Sequence, residues 1–307
     1  IPTTKRCNKM VAKLSDKTLG GIKVVGRAQR ADEILWRMDR FFQRDNNNNH
    51  NNTFNETTTA PLRLPFELPH ANRQTFTMVL KLYAAEKGLS GLEGPRRAEA
   101  IVRRMEERYR YGGELDMKPD VVCWNQVLSA WAGCTDVDKA FHAADLLGSS
   151  DIKDIADDSS YGHVLRACAH SNTNDRSRKL GAEVAVKVWR DFRSVVEKQK
   201  SAFGEADITT TSYMYTFLIT AFGFIKDTKR RENLLVEAFE SCCDAGQVNA
   251  HVLTELKRSC SNALFDKLLG KNNNNNKSFQ GKHTLAILKQ LPEDWTFKAQ
   301  TKDSSGW

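Results

Sequence analysis

The sequence predicts an all-α protein built from antiparallel helix pairs that stack side by side. Apolar residues in the segment 119–147 recur at the three-to-four-residue spacing of a helical face, over two successive stretches. The pattern of the first stretch reappears elsewhere in the chain, and so does the pattern of its neighbouring second helices. Because one such pair cannot bury its apolar face alone, the repetition indicates a stacked array.

The clearest unit begins with a Pro-Asp turn at 119–120, which disfavours helix immediately before it. Its first helix is predicted at 121–132 and its second at 136–148. Gly133 is expected to end the first helix in a left-handed cap, and Asp136 is expected to cap the second. The unit is therefore predicted to be a helical hairpin.

The first-helix pattern is an aromatic residue followed by an apolar pair and a small residue. It occurs at 124–132 and 161–169, and in weaker form at 76–84 and 215–223. Each aromatic residue falls on the apolar stripe, so we predict that all four are core residues. They are Phe76, Trp124, Tyr161 and Tyr215.

The chain before these repeats is predicted to contain a degenerate N-terminal repeat, residues 1–44, with helices near 8–19 and 28–44. The second of these resembles the stretch 98–105 in its pattern. Residues 45–72 are predicted to be a disordered Asn/Thr-rich linker, because polar tracts bury too little apolar surface to offset the entropy of ordering.

Residues 73–245 are predicted to form about four helix-pair repeats. Besides the hairpin described above, their predicted helices are 73–86, 95–110, 158–170, 175–198, 211–225 and 228–244. Residues 246–307 are predicted to form divergent C-terminal helices. This region comprises a helix at 249–268, an Asn-rich loop around 272–276, and a capping tail that contains Trp295.

Composition limits the possible partners. The 307 residues carry a net charge of +8, which favours a polyanionic partner. Seven cysteines without a Cys-x-x-Cys spacing indicate a reducing compartment and mostly buried thiols. No apolar run approaches the ~20 residues that span a bilayer, so no membrane partner is predicted.

The order of residues in 119–147, which is Pro-Asp, aromatic, Asn, apolar pair, small residue, Gly and Asp-x-x-x-Ala, resembles the pentatricopeptide repeat. The resemblance extends to 73–105 and 158–192 and weakens beyond 212. It implies a right-handed superhelical solenoid that binds single-stranded RNA along its first helices. It also implies a monomeric, non-catalytic adaptor in RNA processing, stability or translation in a mitochondrion or plastid.

The resemblance implies particular RNA-contacting residues. Asn125 with Asp157 matches the family's pair that reads a pyrimidine, preferably uracil, and Thr77 with Asp120 matches the pair associated with guanine. An amide supports such a role because it offers a donor and an acceptor to a base edge. Val122 matches the apolar residue that packs against base faces. Asn125 is expected on the exposed side of its helix.

Basic side chains are expected to differ in their roles. Lys81 and Arg166 lie on predicted first helices just past the apolar pair, where phosphates would pass. Four arginines on a predicted second helix are instead expected to form a solvated face away from the RNA. They are Arg103, Arg104, Arg108 and Arg110.

Catalytic signatures are missing from the sequence. No histidine is followed two places on by Glu, and there is neither a phosphate-binding loop nor a nucleophile elbow. We therefore predict no enzymatic activity, no metal and no cofactor. The alternative to RNA binding is a protein-interaction scaffold like those of tetratricopeptide repeats, whose Trp-x-x-Leu-Gly-x-x-Tyr signature is absent.

Overall fold

The structure is a computed structural model that divides into two compact units, Ile1–Cys134 and Thr135–Trp307, each described here by itself. The described residues are 3–14, 18–19, 22–23, 26–50, 70–86, 91–204, 208–270 and 283–302. Most of them lie in helices, which confirms the all-α prediction. The superhelical arrangement of the helices and its handedness stay predictions.

In its described residues the first unit contains helices and two two-residue strands, Thr18–Leu19 and Ile22–Lys23, which pair antiparallel. A short 3-10 helix, Leu115–Met117, precedes its last helix. The α-helices in its described part are α1 (Thr4–Lys13), α2 (Arg27–His50), α3 (Arg73–Ala85), α4 (Glu93–Arg110) and α5 (Val121–Gly133).

Helix α3 is the centre of the first unit. It packs against α1 and α5, and also against α2 and α4. We call α1, α3 and α5 first helices and α2 and α4 second helices. The face of α3 that carries Phe76, Val79, Leu80 and Tyr83 is almost completely buried, because these residues recur at helical spacing. The Glu86 carboxylate, just after α3, accepts the N–H groups at the start of α2.

The second unit continues the alternation. Its helices in the described residues are α6 (Lys139–Leu147), α7 (Asp158–Ala169), α8 (Asp175–Phe203), α9 (Ser212–Phe222), α10 (Thr228–Asp244), α11 (Ala250–Ser259), α12 (Asn262–Gly270), α13 (Thr284–Leu288) and α14 (Glu293–Lys302). The first helices α7, α9 and α11 pack in that order, and α9 also contacts the second helices α8 and α10.

Aromatic rings fill the core of the second unit. Trp189 stacks on Phe192 at 5.7 Å between ring centroids and meets Tyr215 edge-on at 5.7 Å. Tyr161 also meets Phe192 edge-on, at 5.1 Å. With Phe76 and Trp124 buried in the first unit, all four aromatic residues predicted as core residues are confirmed.

Three local predictions differ from the structure. Gly133 stays within α5, and the chain leaves that helix at Cys134 in an extended conformation rather than through a left-handed cap. Helix α6 starts at Lys139 because the Asp136 side chain accepts the Asp138 N–H and closes a turn before it. The helix predicted at 249–268 is two helices that meet at Cys260.

The predicted linker also differs in part. Helix α2 runs to His50, so the backbone of the first Asn tract is helical. The rest of that segment up to residue 69, and the second tract at 272–276, lie outside the described residues.

Two glycines allow close helix contacts in the second unit. A Cβ at Gly181, in α8, would lie 2.7 Å from the Cys168 carbonyl oxygen of α7. A Cβ at Gly223, at the end of α9, would lie 2.7 Å from the Ser259 Oγ of α11. Both distances are too short for a side chain, so these helices approach one another through bare backbone.

The cysteines confirm the prediction of mostly buried thiols. All seven lie in the described residues, none forms a disulfide, and six are buried. Burial raises the pKa of the Cys123 thiol to about 11. Buried protonated thiols are poor nucleophiles and poor metal ligands.

Replacing Trp189 tests the core of the second unit. We expect Trp189→Ala to lower the free energy of unfolding by about 3–5 kcal/mol, because it leaves a large cavity between Phe192 and Tyr215. Trp189→Phe should cost less than about 1.5 kcal/mol, since the buried indole N–H has no hydrogen-bond acceptor in the structure. Urea denaturation of the three proteins measures both values, and equal losses would contradict this view of the core.

Candidate functional site

Five of the seven predicted site residues lie just before or in the first two turns of the first helices, where the backbone needs hydrogen-bond acceptors, whereas Lys81 and Arg166 lie farther along α3 and α7. The first turn of a helix leaves N–H groups without a backbone partner. In α3, α5, α7, α9 and α11 the residue before the helix accepts the N–H three positions on, at 2.8–3.4 Å. These capping residues are Asn72, Asp120, Asp157, Thr211 and Asn249.

The caps set a common register, and two positions counted from them are of interest. The residue two places after each cap, which we call the outer position, is exposed or half-buried. The outer positions are Gln74, Val122, Ser159, Tyr213 and His251. Val122 keeps 51% of its surface exposed and Tyr213 keeps 45%. An apolar side chain that remains this accessible is available to a ligand.

The residue five places after each cap, which we call the inner position, is small or polar in all five helices. The inner positions are Thr77, Asn125, Gly162, Thr216 and Thr254. Each threonine hydroxyl donates to the carbonyl oxygen four residues earlier, at 3.0 Å for Thr77, 2.8 Å for Thr216 and 2.7 Å for Thr254. Their oxygens can still accept a hydrogen bond, so these positions present acceptors.

The structure links Thr77 and Asp120 through Arg73. The Thr77 hydroxyl donates to the Arg73 carbonyl oxygen, and the Arg73 guanidinium lies 2.5 Å from the Asp120 carboxylate. Burial opposes ionisation of Asp120, but the Cys123 N–H and Arg73 together lower the pKa of this carboxyl below its ordinary value. Asp120 is therefore an ionised helix cap that is already paired with a cation.

Asn125 and Asp157 belong to different units, and their surroundings differ. Asn125 is only 7% exposed, so the expectation that it lies on the open side of α5 is wrong. The contacts of α5 with α3 and α4 bury most of its length, which accounts for this. The Asp157 carboxylate accepts both the N–H and the hydroxyl of Ser160, at 2.8 and 2.9 Å. A base-reading role for either residue stays a prediction.

Lys81 and Arg166 differ in accessibility. Lys81 is exposed on α3. Arg166 is half-buried on α7, and burial lowers the pKa of its guanidinium. Of the two, only Lys81 presents an open cation.

The arginines of α4 are largely neutralised by nearby acidic residues. Arg103 pairs with Glu99 and Glu106 on its own helix, and similar pairs hold Arg104 and Arg110. Arg108 is the exception to the predicted solvated face, because it is buried at 3% exposure. Its guanidinium pairs with Glu114 and donates to the Ala71 carbonyl oxygen at 2.7 Å.

The second unit contains an open groove of about 1110 Å³. It is lined by the C-terminal halves of α9 and α11, the end of α7, and the first turns of α8 and α10. The half-buried rings of Phe217 and Phe224 face it, and Phe217 meets His170 edge-on at 5.8 Å. The groove therefore lies toward the opposite ends of the first helices from their caps.

Ion pairs build the walls of this groove. Lys226 contacts Asp175 at 2.9 Å, and Arg230 makes a bidentate pair with Glu183 at 2.6 and 2.8 Å. These pairs join the start of α8 to the α9–α10 connection and to α10. The sequence does not reveal the groove, because its paired residues are about 50 positions apart and carry no local pattern.

Comparisons with protein-family models, with curated proteins and with solved structures find no match. No helix in the described part of the chain has the length and hydropathy of a bilayer-spanning segment. Nor do the described residues contain a group of three or more His, Cys, Asp or Glu side chains placed to hold a metal ion.

The capping role of Asp157 can be tested by substitution. We expect Asp157→Ala to lower the free energy of unfolding by about 0.5–2 kcal/mol, while Asp157→Ser should retain most of the stability because serine caps equally well. Asp154→Ala, at an exposed loop position, is the control. If thermal or urea unfolding gives equal losses for Asp157→Ala and Asp157→Ser, the carboxylate has another role.

His163, on α7, should make stability depend on pH. Burial and the Arg166 charge lower the pKa of its imidazole to about 4, against an ordinary value of 6.5. Between these values the unfolded chain binds a proton that the folded chain does not. Stability should therefore fall as the pH drops from 6.5 toward 4, by at most about 1.4 kcal/mol per pH unit. Urea unfolding at pH 7 and pH 5 should show a smaller decrease for His163→Gln, and equal decreases would contradict the assignment.

Proposed function

We propose that this chain is a helical-repeat protein that binds single-stranded RNA without chemistry of its own. The observation that carries the proposal is the common register of the first helices. Five of them present an accessible outer position and a small or polar inner position at the same distance from a capping residue. Repeated contact positions suit a repeating ligand, and in some families of helical repeats each repeat reads one base.

Charge supports the same proposal. The chain carries a net charge of +8. The α4 arginines offer little of this charge to a ligand, because acidic neighbours pair with them. Lys81 is exposed on a first helix, and six cationic side chains against four acidic ones line the groove, so both places favour a polyanion. The resemblance of 119–147 to pentatricopeptide repeats points to the same ligand, and with it to an organellar RNA.

The contacts of the inner positions limit how well they can distinguish one base from another. Three threonine hydroxyls already donate to their own helices, and Asn125 is buried. We therefore propose weak base discrimination, with affinity supplied mainly by phosphate contacts and by apolar contacts at outer positions such as Val122. A scaffold for proteins is the second candidate, because exposed Val122 and Tyr213 also suit a protein surface.

A titration of fluorescent RNA tests the proposal. We expect the protein to bind a mixed-sequence single strand of about 20 nucleotides more tightly than the matching duplex. Raising the salt from about 50 to 200 mM should weaken binding at least tenfold, because cations that neutralise phosphates release counterions. Binding that is absent, or that is insensitive to salt, would remove the proposal and favour the protein scaffold.

Matched variants test the outer positions. Val122→Glu with Tyr213→Glu adds one negative charge at an outer position in each unit and should weaken RNA binding roughly tenfold. Phe141→Glu with Ile155→Glu is the control, since these residues lie off the first helices and have the same exposed fractions, 51% and 45%. Equal effects of the two pairs would mean that RNA does not follow the first helices.

A further inference from the structure

We infer that the groove of the second unit is a further binding region for the single strand. In this groove the cations at the start of α8 contact phosphates, and Phe217 stacks against a base. This inference rests on the proposed function and adds a contact region that begins at Thr216, an inner position that lines the groove, and extends away from the caps. The groove lies toward the C-terminal ends of α9 and α11, whereas the caps and the outer positions lie at the N-terminal ends.

The charge of the groove is concentrated at its α8 wall. Six cationic and four acidic side chains line the whole groove. Around the first turn of α8, Asp175 is the one lining carboxylate, and it is shared between Lys226 at 2.9 Å and Arg178 at 3.6 Å. Arg176 is 78% exposed and pairs with Asp138 at 3.5 Å. Lys179 is exposed, and its charge helps to lower the pKa of the Glu183 carboxyl, one turn further along α8. This wall therefore carries surplus positive charge.

The position of these basic residues on α8 adds to the positive potential of the wall. The basic residues lie in the first two turns of the 29-residue helix α8, where the helix dipole adds positive potential. The carboxylates elsewhere in the groove are held by other groups. Glu183 is bound bidentately by Arg230, and Glu255 lies 2.6 Å from Arg258 and accepts the Thr220 hydroxyl at 2.9 Å. The same ion pairs hold most of the groove's cations, so what favours an anion is the net excess of two cations (six minus four) among the lining side chains.

Aromatic rings distinguish a nucleic acid from other anions. Phe217 is half-buried in the groove, with the His170 ring against it at 5.8 Å. Proteins that bind single strands combine a cationic groove with aromatic side chains on which bases stack. An acidic peptide would satisfy the cations but offers no flat base to Phe217. The combination favours single-stranded RNA as the occupant.

Charge reversal within α8 tests the phosphate contacts. Arg178→Glu with Lys179→Glu should weaken binding of the same single strand roughly tenfold, and should lower the slope of log affinity against log salt by about 1.4. The control is Lys187→Glu with Arg190→Glu, two exposed cations of the same helix that do not line the groove. This control should change the affinity less than threefold, and thermal melting should show that both variants are folded.

Phe217 variants test the stacking contact. Phe217→Ala should weaken binding about fivefold or more, whereas Phe217→Tyr keeps an aromatic face and should bind nearly as the original protein does. If RNA binds and responds to the outer-position variants, but ignores both groove changes, the groove inference is overturned and the proposed function survives. If no RNA binds, both fall. Displacement of the RNA from the groove by poly-glutamate as effectively as by unlabelled RNA would also overturn the inference, in favour of an acidic peptide.

Discussion

The structure depends on the need of each first helix for an acceptor at its N-terminus. Backbone N–H groups in a first turn have no carbonyl partner within the helix, so a side chain must supply one. Asn72, Asp120, Asp157, Thr211 and Asn249 each do so at the same point of a helix. The caps fix where each helix begins and therefore which side chains fall two and five places later. A shared register among degenerate repeats follows from this local requirement.

The same requirement explains why the sequence located the helices better than it located the site. Helices α3, α5, α7 and α10 begin where predicted, because caps and apolar periodicity are local signals. The roles of Asp120 and Asp157 depend on hydrogen bonds that the sequence leaves open, since one carboxylate can serve a backbone or a base. The burial of Asn125 results from packing by other helices, which no pattern around residue 125 records.

Charge shows the limit of linear sequence in another way. The arginine cluster of α4 is prominent in the sequence, yet glutamates three and four residues away neutralise much of it. The cations that remain open are less conspicuous. Lys81 is an isolated exposed cation on α3. The cations at the start of α8 form the wall of a groove only when α9 and α10 fold beside them. Pairing partners, rather than cation density along the chain, decide which charges a ligand meets.

The contact of α9 and α11 through Gly223 has a consequence for evolution as well as for packing. Because the Ser259 hydroxyl occupies the space that a side chain at 223 would need, alanine there requires either that Ser259 turns or that the two helices move apart. That movement would change the distance between Tyr213 and His251 without altering either residue. The spacing of these two outer positions therefore depends on residue 223, which no ligand has to touch. Variation at glycines between neighbouring helices can change the spacing of the contact residues while those residues themselves stay constant.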